Sequence, residues 1–308
     1  MQVIYNADEM NNNFKGVGLG NFDGLHIGHF ALINALIHES RFNGYSSLIY
    51  TFTKHPENIL RKKLFTPLLT TKEKKIELLK DTALDYLYFE EFDEKFSRLT
   101  PIEFARDILA GKLKAKLAVA GFNYRFGYKG QGNSEMLKSF GHQFDFKVII
   151  LPPVRVEKNV ASSTLIRTNV MKGNMDIVFK LLGRHYSIDG TVRSGKQLGS
   201  KLGFPTANIS PRKYIVLPHN GVYTTKTLVD GKLYQSITNV GTKPTTGRGN
   251  PVSLETHIFD FNKNIYNREI EVFFVSKIRN EKIFSGMDEL AQQVKKDIAI
   301  AEESHRMI

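Results

Sequence analysis

The chain has 308 residues, 41% hydrophobic and 24% charged, with 43 Lys and Arg against 31 Asp and Glu and a net charge of +12. That balance and length exclude a disordered chain, a collagen-like repeat or a coiled-coil rod, and point to about two domains. Cysteine is absent, which excludes disulfides, thiolate–zinc sites, iron–sulfur clusters and a cysteine nucleophile.

Residues 1–9 are mildly acidic and lack the basic start and apolar run of a signal peptide. Lys15 to Phe22 reads as a short Gly-rich strand. A helix follows over 29–40, with Phe30, Ile33, Leu36 and Ile37 at helical spacing. Residues 46–52 form the next strand. Thr70 and Glu73 read as a capping box opening a helix that runs to about Lys80. A strand over 86–89 precedes a second capping box at Thr100 and Glu103, with Pro101 in the first helical position and Gly111 as the stop. Strands over 116–121 and 147–151 complete the half. Five strands alternating with helices predict a doubly wound parallel α/β sheet, with ligands at the carboxyl ends of its strands.

After Arg184 the helical period disappears. Strands are predicted over 185–192, 221–229, 232–240, 253–259 and 268–275, with Asp230-Gly231 as a two-residue hairpin turn. Short antiparallel strands at this spacing predict a small β-barrel, closed by a helix over 287–303 that carries Leu290, Ala291, Val294, Ile298 and Ala301 on one face. The expected domains are therefore 1–183 and 184–308. Each has a net charge of +6, so no basic tail concentrates the excess. Neither a nucleic acid nor a membrane is an expected partner. The longest apolar run, 148–154, falls far short of the roughly 18 residues of a membrane helix, and a cytoplasmic location is expected.

The densest motif is Gly20-Asn21-Phe22-Asp23-Gly24-Leu25-His26-Ile27-Gly28-His29, set where a strand turns into a helix. Its glycines permit close backbone approach to a ligand, and the helix N-terminus offers unpaired N–H groups to a phosphate. His26 and His29, three apart, can serve the same phosphate as charge develops on it. Ser162-Ser163-Thr164-Leu165-Ile166-Arg167 places hydroxyls at another helix start, with a guanidinium one turn on. In the second half, Gly195, Gly199 and Gly203 recur at four-residue spacing, as in a loop folded over phosphates. Thr206 and Asn208 follow as hard oxygen ligands suited to Mg²⁺. Alternation puts Ser253, Glu255 and His257 on one strand face, where Glu255 can accept a proton from an attacking hydroxyl.

The first motif resembles the Gly-x-Phe-Asp-Gly-x-His-x-Gly-His signature of the nucleotidylyltransferases. The whole chain resembles the bacterial bifunctional riboflavin kinase/FAD synthetase family. Thr51-Phe52-Thr53-Lys54-His55-Pro56 resembles that family's Phe-x-x-His-Pro segment, and Gly121-Phe122-Asn123-Tyr124-Arg125-Phe126-Gly127 its Gly-x-Asp-Phe-x-Phe-Gly stretch, with Asn123 where Asp is common. Pro205-Thr206-Ala207-Asn208 resembles the riboflavin kinase signature. Ser200, Thr246 and Asn267 stand where that family commonly has Arg, Phe and Gly.

The resemblance implies ATP-dependent phosphorylation of riboflavin to FMN by the barrel and adenylylation of FMN to FAD by the first domain. It assigns His26, His29, Arg167 and Glu255 to catalysis. Gly20 to Gly24, Gly28, Ser162, Ser163, Thr164 and the three loop glycines would hold ATP. Phe52, His55, Asn123, Arg125, Arg279 and Phe284 would border flavin, the stretch from Asn239 to Thr245 would border substrate, and Thr206 and Asn208 would hold Mg²⁺. Two alternatives stand beside this reading. One is an FAD synthetase whose barrel only binds flavin; the other is a flavin-sensing regulatory protein.

Overall fold

A computed structural model describes residues 1–54, 56–60, 66–195, 199, 202–242 and 252–306. Packing divides the chain into two units, Met1–Ser163 and Thr164–Ile308.

Six described strands of the first unit form one parallel sheet: β1 (Gln2–Ile4), β2 (Lys15–Leu19), β3 (Ser46–Phe52), β4 (Tyr86–Glu90), β5 (Ala115–Gly121) and β6 (Lys147–Leu151). Their spatial order is β1-β4-β3-β2-β5-β6. The chain steps outward from β2 through β3 and β4, then returns to the other side of β2 with β5. The order reverses there, and the carboxyl ends of β2 and β5 open a crevice. Strand β1 is an addition to the expected five: three residues pair in parallel with Tyr86, Leu87 and Tyr88, too short a segment to show a period.

Helix α1 (Ile27–Phe42) buries Leu32, Ile33, Leu36 and Ile37 on the sheet. A short helix α2 (Pro56–Leu60) precedes α3 (Lys72–Leu79). The expected cap of α3 shifts by one residue. Thr71, not Thr70, accepts from the Lys74 N–H, because Thr70 is held elsewhere by a tertiary contact described below. After α4 (Glu94–Ser97), the capping box of Thr100 and Glu103 forms as expected at α5 (Pro101–Glu103). The chain then continues as a π-helix, Phe104–Lys112, a rare form associated with functional sites. Its Phe104 joins Tyr50, Phe96 and Phe126 in an aromatic cluster with ring centroids 5.4–6.3 Å apart. The unit ends with α6 (Ser134–Gln143), β6 and a small hairpin of β7 (Arg155–Val156) and β8 (Asn159–Val160).

Helix α7 (Ser163–Lys172) is followed by α8 (Met175–Leu182), which buries Met175, Val178, Leu181 and Leu182. The packing division precedes the change of texture at Arg184 because α8 lies on β9 (Tyr186–Arg193) and β14 (Glu269–Arg279) of the second unit. Those strands, with β10 (Ala207–Pro211), β11 (Gly221–Val229), β12 (Lys232–Thr242) and β13 (Val252–Ile258), close an antiparallel barrel in the order β10-β13-β12-β11-β14-β9. Strand β10 was not expected. Its Asn and Pro disfavour a strand, and pairing with β9 and β13 imposes one. The Asp230-Gly231 turn is as predicted, with both residues at positive φ and Val229 paired to Lys232. Asn267 also lies at positive φ (62°), a position that suits Gly and that Asn tolerates.

One face of the barrel strands is fully buried and partly polar. Thr227, Ser236, Thr225, Thr238 and Thr256 link their hydroxyls in a chain of 2.8–2.9 Å hydrogen bonds, so each of these five buried hydroxyls is satisfied. The C-terminal helix, Met287–Arg306, is anchored on β14 by Arg279, whose Nε and Nη2 donate to the buried Asp297 carboxylate at 2.7–3.0 Å. Asp297→Ala removes the partner of a largely buried cation. It is expected to destabilise the second unit by about 3–5 kcal/mol, measured by urea unfolding, with Asp297→Asn less damaging.

Candidate functional site

The first site is built on the turn that joins β2 to α1. Phe22, Gly24 and Leu25 all have positive φ, at 48°, 84° and 41°. For Phe and Leu this is a strained conformation, held only if the surroundings over-determine it. Their side chains are fully buried in the core between α1 and the sheet. Gly24 has no such freedom to lose: a Cβ there would lie 2.8 Å from Leu69.

Buried polar groups hold the turn from three sides. The Asp23 carboxylate accepts from the Leu69 N–H (3.0 and 3.2 Å), the Thr70 N–H (3.1 Å) and the Thr70 hydroxyl (3.3 Å), while the Gly24 N–H donates to Thr70 Oγ1. Thr70 is therefore a partner of the turn and not the cap of α3. Ser163 Oγ donates to the Asp23 carbonyl at 2.8 Å. On the third side, the Asn21 carbonyl accepts from Lys75 Nζ (2.8 Å) and from the Thr51 hydroxyl (3.1 Å).

The turn delivers His26 as the N-cap of α1, its Nδ1 accepting from the His29 N–H at 3.3 Å. The two imidazoles stack, with centroids 3.7 Å apart and planes 16° apart, and Phe22 lies 5.2 Å from the His29 ring. Gly28 sits in the first turn of α1, where a Cβ would lie 3.1 Å from the His26 ring. The pair thus flanks the positive end of a sixteen-residue helix, an arrangement suited to a phosphate. Gly20 lies at the exit of β2. Ser162 is half-buried, Thr164 is exposed on α7, and Arg167 is buried one turn further along it.

Phe52 ends β3 and packs against Phe92 and Phe96 at 5.3 and 5.6 Å. In the 121–127 stretch Tyr124 and Phe126 stack, 5.7 Å apart, whereas Asn123 and Arg125 alternate to the exposed side. His55 lies outside the described residues. Below the cluster, Glu90 accepts from Tyr50 (2.8 Å) and Lys112 (2.7 Å), and burial first, then this carboxylate, raises the Tyr50 phenol well above its usual range.

The second site is a row across three barrel strands. Glu255 on β13 pairs in register with Asn208 on β10 and with Asn239 on β12, placing the three on one face. Burial alternates along β13, with Leu254 and Thr256 buried and Ser253, Glu255 and His257 half-exposed, as predicted. Two loop glycines press on the expected metal ligands. A Cβ on Gly195 would overlap the Asn208 amide; one on Gly199 would meet Thr206 at 3.3–3.4 Å and overlap the Phe204 carbonyl. Gly203 turns at φ 84°. Thr206, Asn208 and Glu255 supply hydroxyl, amide and carboxylate oxygens, a donor set that fits Mg²⁺ retaining water and phosphate ligands. Ser200 and Thr246 lie outside the described residues. Arg279 is held by Asp297 and lies 5.7 Å from the Phe284 ring.

Residues 8–165 match the family model described as FAD synthetase, and residues 182–305 match riboflavin kinase. A protein of Buchnera aphidicola subsp. Schizaphis graminum, named bifunctional riboflavin kinase/FMN adenylyltransferase, is 38% identical over 99% of this chain and 98% of its own. The chain belongs to the bifunctional riboflavin kinase/FMN adenylyltransferase family. Relatives of the same name in Bacillus subtilis and Escherichia coli K12 are 34% and 33% identical, over 91% and 92% of this chain and 89% and 91% of theirs. A solved structure titled a macrolide-efflux protein from Streptococcus pneumoniae superposes with a TM-score of 0.89 at 31% identity, covering 98% of each chain. No helix among the described residues is long and apolar enough to cross a membrane.

In this member of the riboflavin kinase/FMN adenylyltransferase family, the first motif lies on the β2–α1 junction, and of the second motif Gly195, Gly199, Gly203 and Thr206 lie between β9 and β10, with Asn208 on β10. Sequence reasoning missed Lys75, Thr51 and Thr70, which hold the first turn, and Asn239 as the in-register neighbour of Glu255. No local signal marks Lys75, which looks like any lysine on an amphipathic helix; only its contact 54 residues away reveals it.

Burial pushes the Lys75 ammonium down to about 8, against the upward pull of Asp23. An unfolded lysine keeps its proton to about 10.5. Between these values the unfolded chain binds the additional proton, so this group's contribution to stability rises with pH. Wild-type stability relative to Lys75→Met is therefore expected to increase between about pH 8 and pH 10, read by urea unfolding at each pH.

Proposed function

We propose that this chain makes FMN from riboflavin in its barrel unit and FAD from FMN in its sheet unit, using ATP for both. The observation that carries this reading is that each family-matched segment contains its own built polar site. These are the stacked histidines at the start of α1 and the Asn208–Glu255–Asn239 row.

In adenylyl transfer, an FMN phosphate oxygen attacks the α-phosphorus of ATP. The bond to the bridging oxygen breaks and pyrophosphate leaves. The nucleophile is already anionic at neutral pH, so no general base is needed. The work is positioning and charge stabilisation. His26, His29 and the N–H groups of α1 receive the charge developing on the α-phosphate. Ser163 holds the turn through the Asp23 carbonyl. Arg167 and Thr164 are assigned to the phosphates on their motif positions, and Phe52, Asn123 and Arg125 to flavin.

In the kinase reaction, Glu255 takes the proton of the terminal ribityl hydroxyl, whose oxygen attacks the γ-phosphorus, and ADP leaves. The loop of Gly195, Gly199 and Gly203 covers the ATP phosphates, and Thr206 and Asn208 hold Mg²⁺. When bound, Mg²⁺ neutralises charge on the β- and γ-phosphates. Arg279 acts through Asp297 and Phe284 as a wall of the flavin side. A cytoplasmic location follows from these substrates.

The test is product chromatography after riboflavin or FMN is supplied separately with ATP and Mg²⁺. Both FMN and FAD are expected from riboflavin; FAD from FMN with no FMN from riboflavin would leave only the adenylyl transferase. His29→Ala is expected to lower FAD formation at least 100-fold while riboflavin phosphorylation stays within about twofold. Glu255→Gln is expected to do the converse, with FMN formation reduced by about 10²–10⁴; undiminished FMN formation would remove Glu255 from the role of base.

A further inference from the structure

Strand β13 runs two residues past its pairing with β10. On that side the register couples Leu254 to Ile209, Glu255 to Asn208 and Thr256 to Ala207, the first residue of β10. On the other side β13 stays paired with β12 through His257 and Ile258. Two residues before Ala207 stands Pro205, whose nitrogen has no hydrogen to give a ladder. The segment ahead of β10, which carries Thr206 and the loop glycines, therefore leaves the sheet beside the strand that carries Glu255.

A side chain takes over from the ladder at that point. His257 Nδ1 lies 2.8 Å from the Pro205 carbonyl. A carbonyl only accepts, so Nδ1 carries a proton and donates it, whether the ring is neutral or charged. The same imidazole meets the Phe204 ring edge-on, with centroids 5.9 Å apart and planes at 85°, and its centroid lies 5.7 Å from that of Phe259. Phe204 is itself tied into the loop. Its N–H donates to the Gly199 carbonyl at 2.8 Å, and the Leu202 N–H donates to the same carbonyl at 3.1 Å. One ring thus grips two consecutive residues, Phe204 and Pro205, directly before Thr206.

We infer that His257 is a positioning residue for phosphoryl transfer in the barrel: its Nδ1–H clasps the Pro205 carbonyl and so fixes Thr206 and the glycine loop relative to Glu255. This rests on the kinase reading above. Strand register spaces Asn208 from Glu255, but Thr206 lies ahead of the ladder and needs another constraint. In-line transfer requires the phosphate-holding groups and the base to keep their relative position, and a misplacement of about 1 Å can cost about 10² in rate. His257 also shares a strand face with Glu255, where a second proton acceptor would stand. The two roles differ in what they demand. A clasp needs only a donor at the position of Nδ1, whereas a proton acceptor needs a ring that titrates.

The test uses the full chain with His257→Ala and His257→Asn. Asparagine keeps an N–H donor on the branch where Nδ1 stands and does not titrate. Initial rates of FMN formation are measured with Mg²⁺, ATP and riboflavin varied in turn. Hydrogen exchange of the Leu202 and Phe204 amides is followed without nucleotide or metal. His257→Ala is expected to lower kcat about tenfold or more and to raise the Mg²⁺ concentration at half-maximal rate about threefold or more, with the KM for riboflavin within about twofold. Exchange at Leu202 and Phe204 is expected to speed up about tenfold, while that of β11 and β14 stays within about twofold and reports an intact barrel. His257→Asn is expected to stay within about threefold of wild type in all these readings and to keep its pH profile. Unchanged kcat in a folded His257→Ala overturns the proposal, as does a His257→Asn variant as impaired as His257→Ala. Should His257→Ala not fold, His257→Asn decides by the same limits. A wild-type chain that makes no FMN overturns the kinase reading, and the positioning role with it.

Discussion

The turn between β2 and α1 places Phe22 and Leu25 in left-handed backbone conformations that neither residue adopts freely. Everything at the first site depends on keeping them there. Apolar burial of the two side chains supplies the driving force, but it is non-directional and cannot set a backbone angle. Direction comes from hydrogen bonds: Asp23 to residues 69 and 70, Ser163 to the Asp23 carbonyl, and Lys75 with Thr51 to the Asn21 carbonyl. These groups come from three separate parts of the chain, so the turn forms only once the unit has folded. Its product is a helix that begins at His26 with two stacked imidazoles at its positive end.

The barrel places its polar row by register. Hydrogen-bond pairing between strands puts Glu255 beside Asn208 and Asn239. A one-residue slip would carry Glu255 to the buried face. Register is pinned by the buried hydroxyl chain on that face, since a slip would leave Thr225, Ser236 and Thr238 without partners. Closure of the barrel through β10 brings in Asn208, and the Arg279–Asp297 pair locks the last helix onto β14. The two units therefore use opposite means for related chemistry. One offers a helix terminus reached through strained backbone; the other offers a row of side chains on unstrained strands.

Much of this was legible in the sequence because it is local. Alternation along 253–258, the Asp230-Gly231 turn and the Thr100–Glu103 capping box each depend on residues a few positions apart, and each forms as read. The motif residues are local too, and the structure puts His26 and His29 at one helix start and Glu255 in register with Asn208. Failures follow the same rule. Thr70 reads as a helix cap until Asp23, 47 residues away, takes its hydroxyl. Strand β10 reads as a loop until β9 and β13 impose pairing on it.

Composition, periodicity and motif spacing by themselves thus determined a parallel α/β unit followed by a barrel, and which residue types stand ready for phosphate and proton transfer. Tertiary structure alone decided which lysines are buried, which carboxylate holds backbone and which asparagines flank Glu255. The reason is physical. A helix or strand period reports on neighbours a turn or a pleat away. Desolvation, by contrast, depends on what the rest of the chain packs around a group, and Lys75 becomes different from other lysines only when Asn21 and Thr51 close over it.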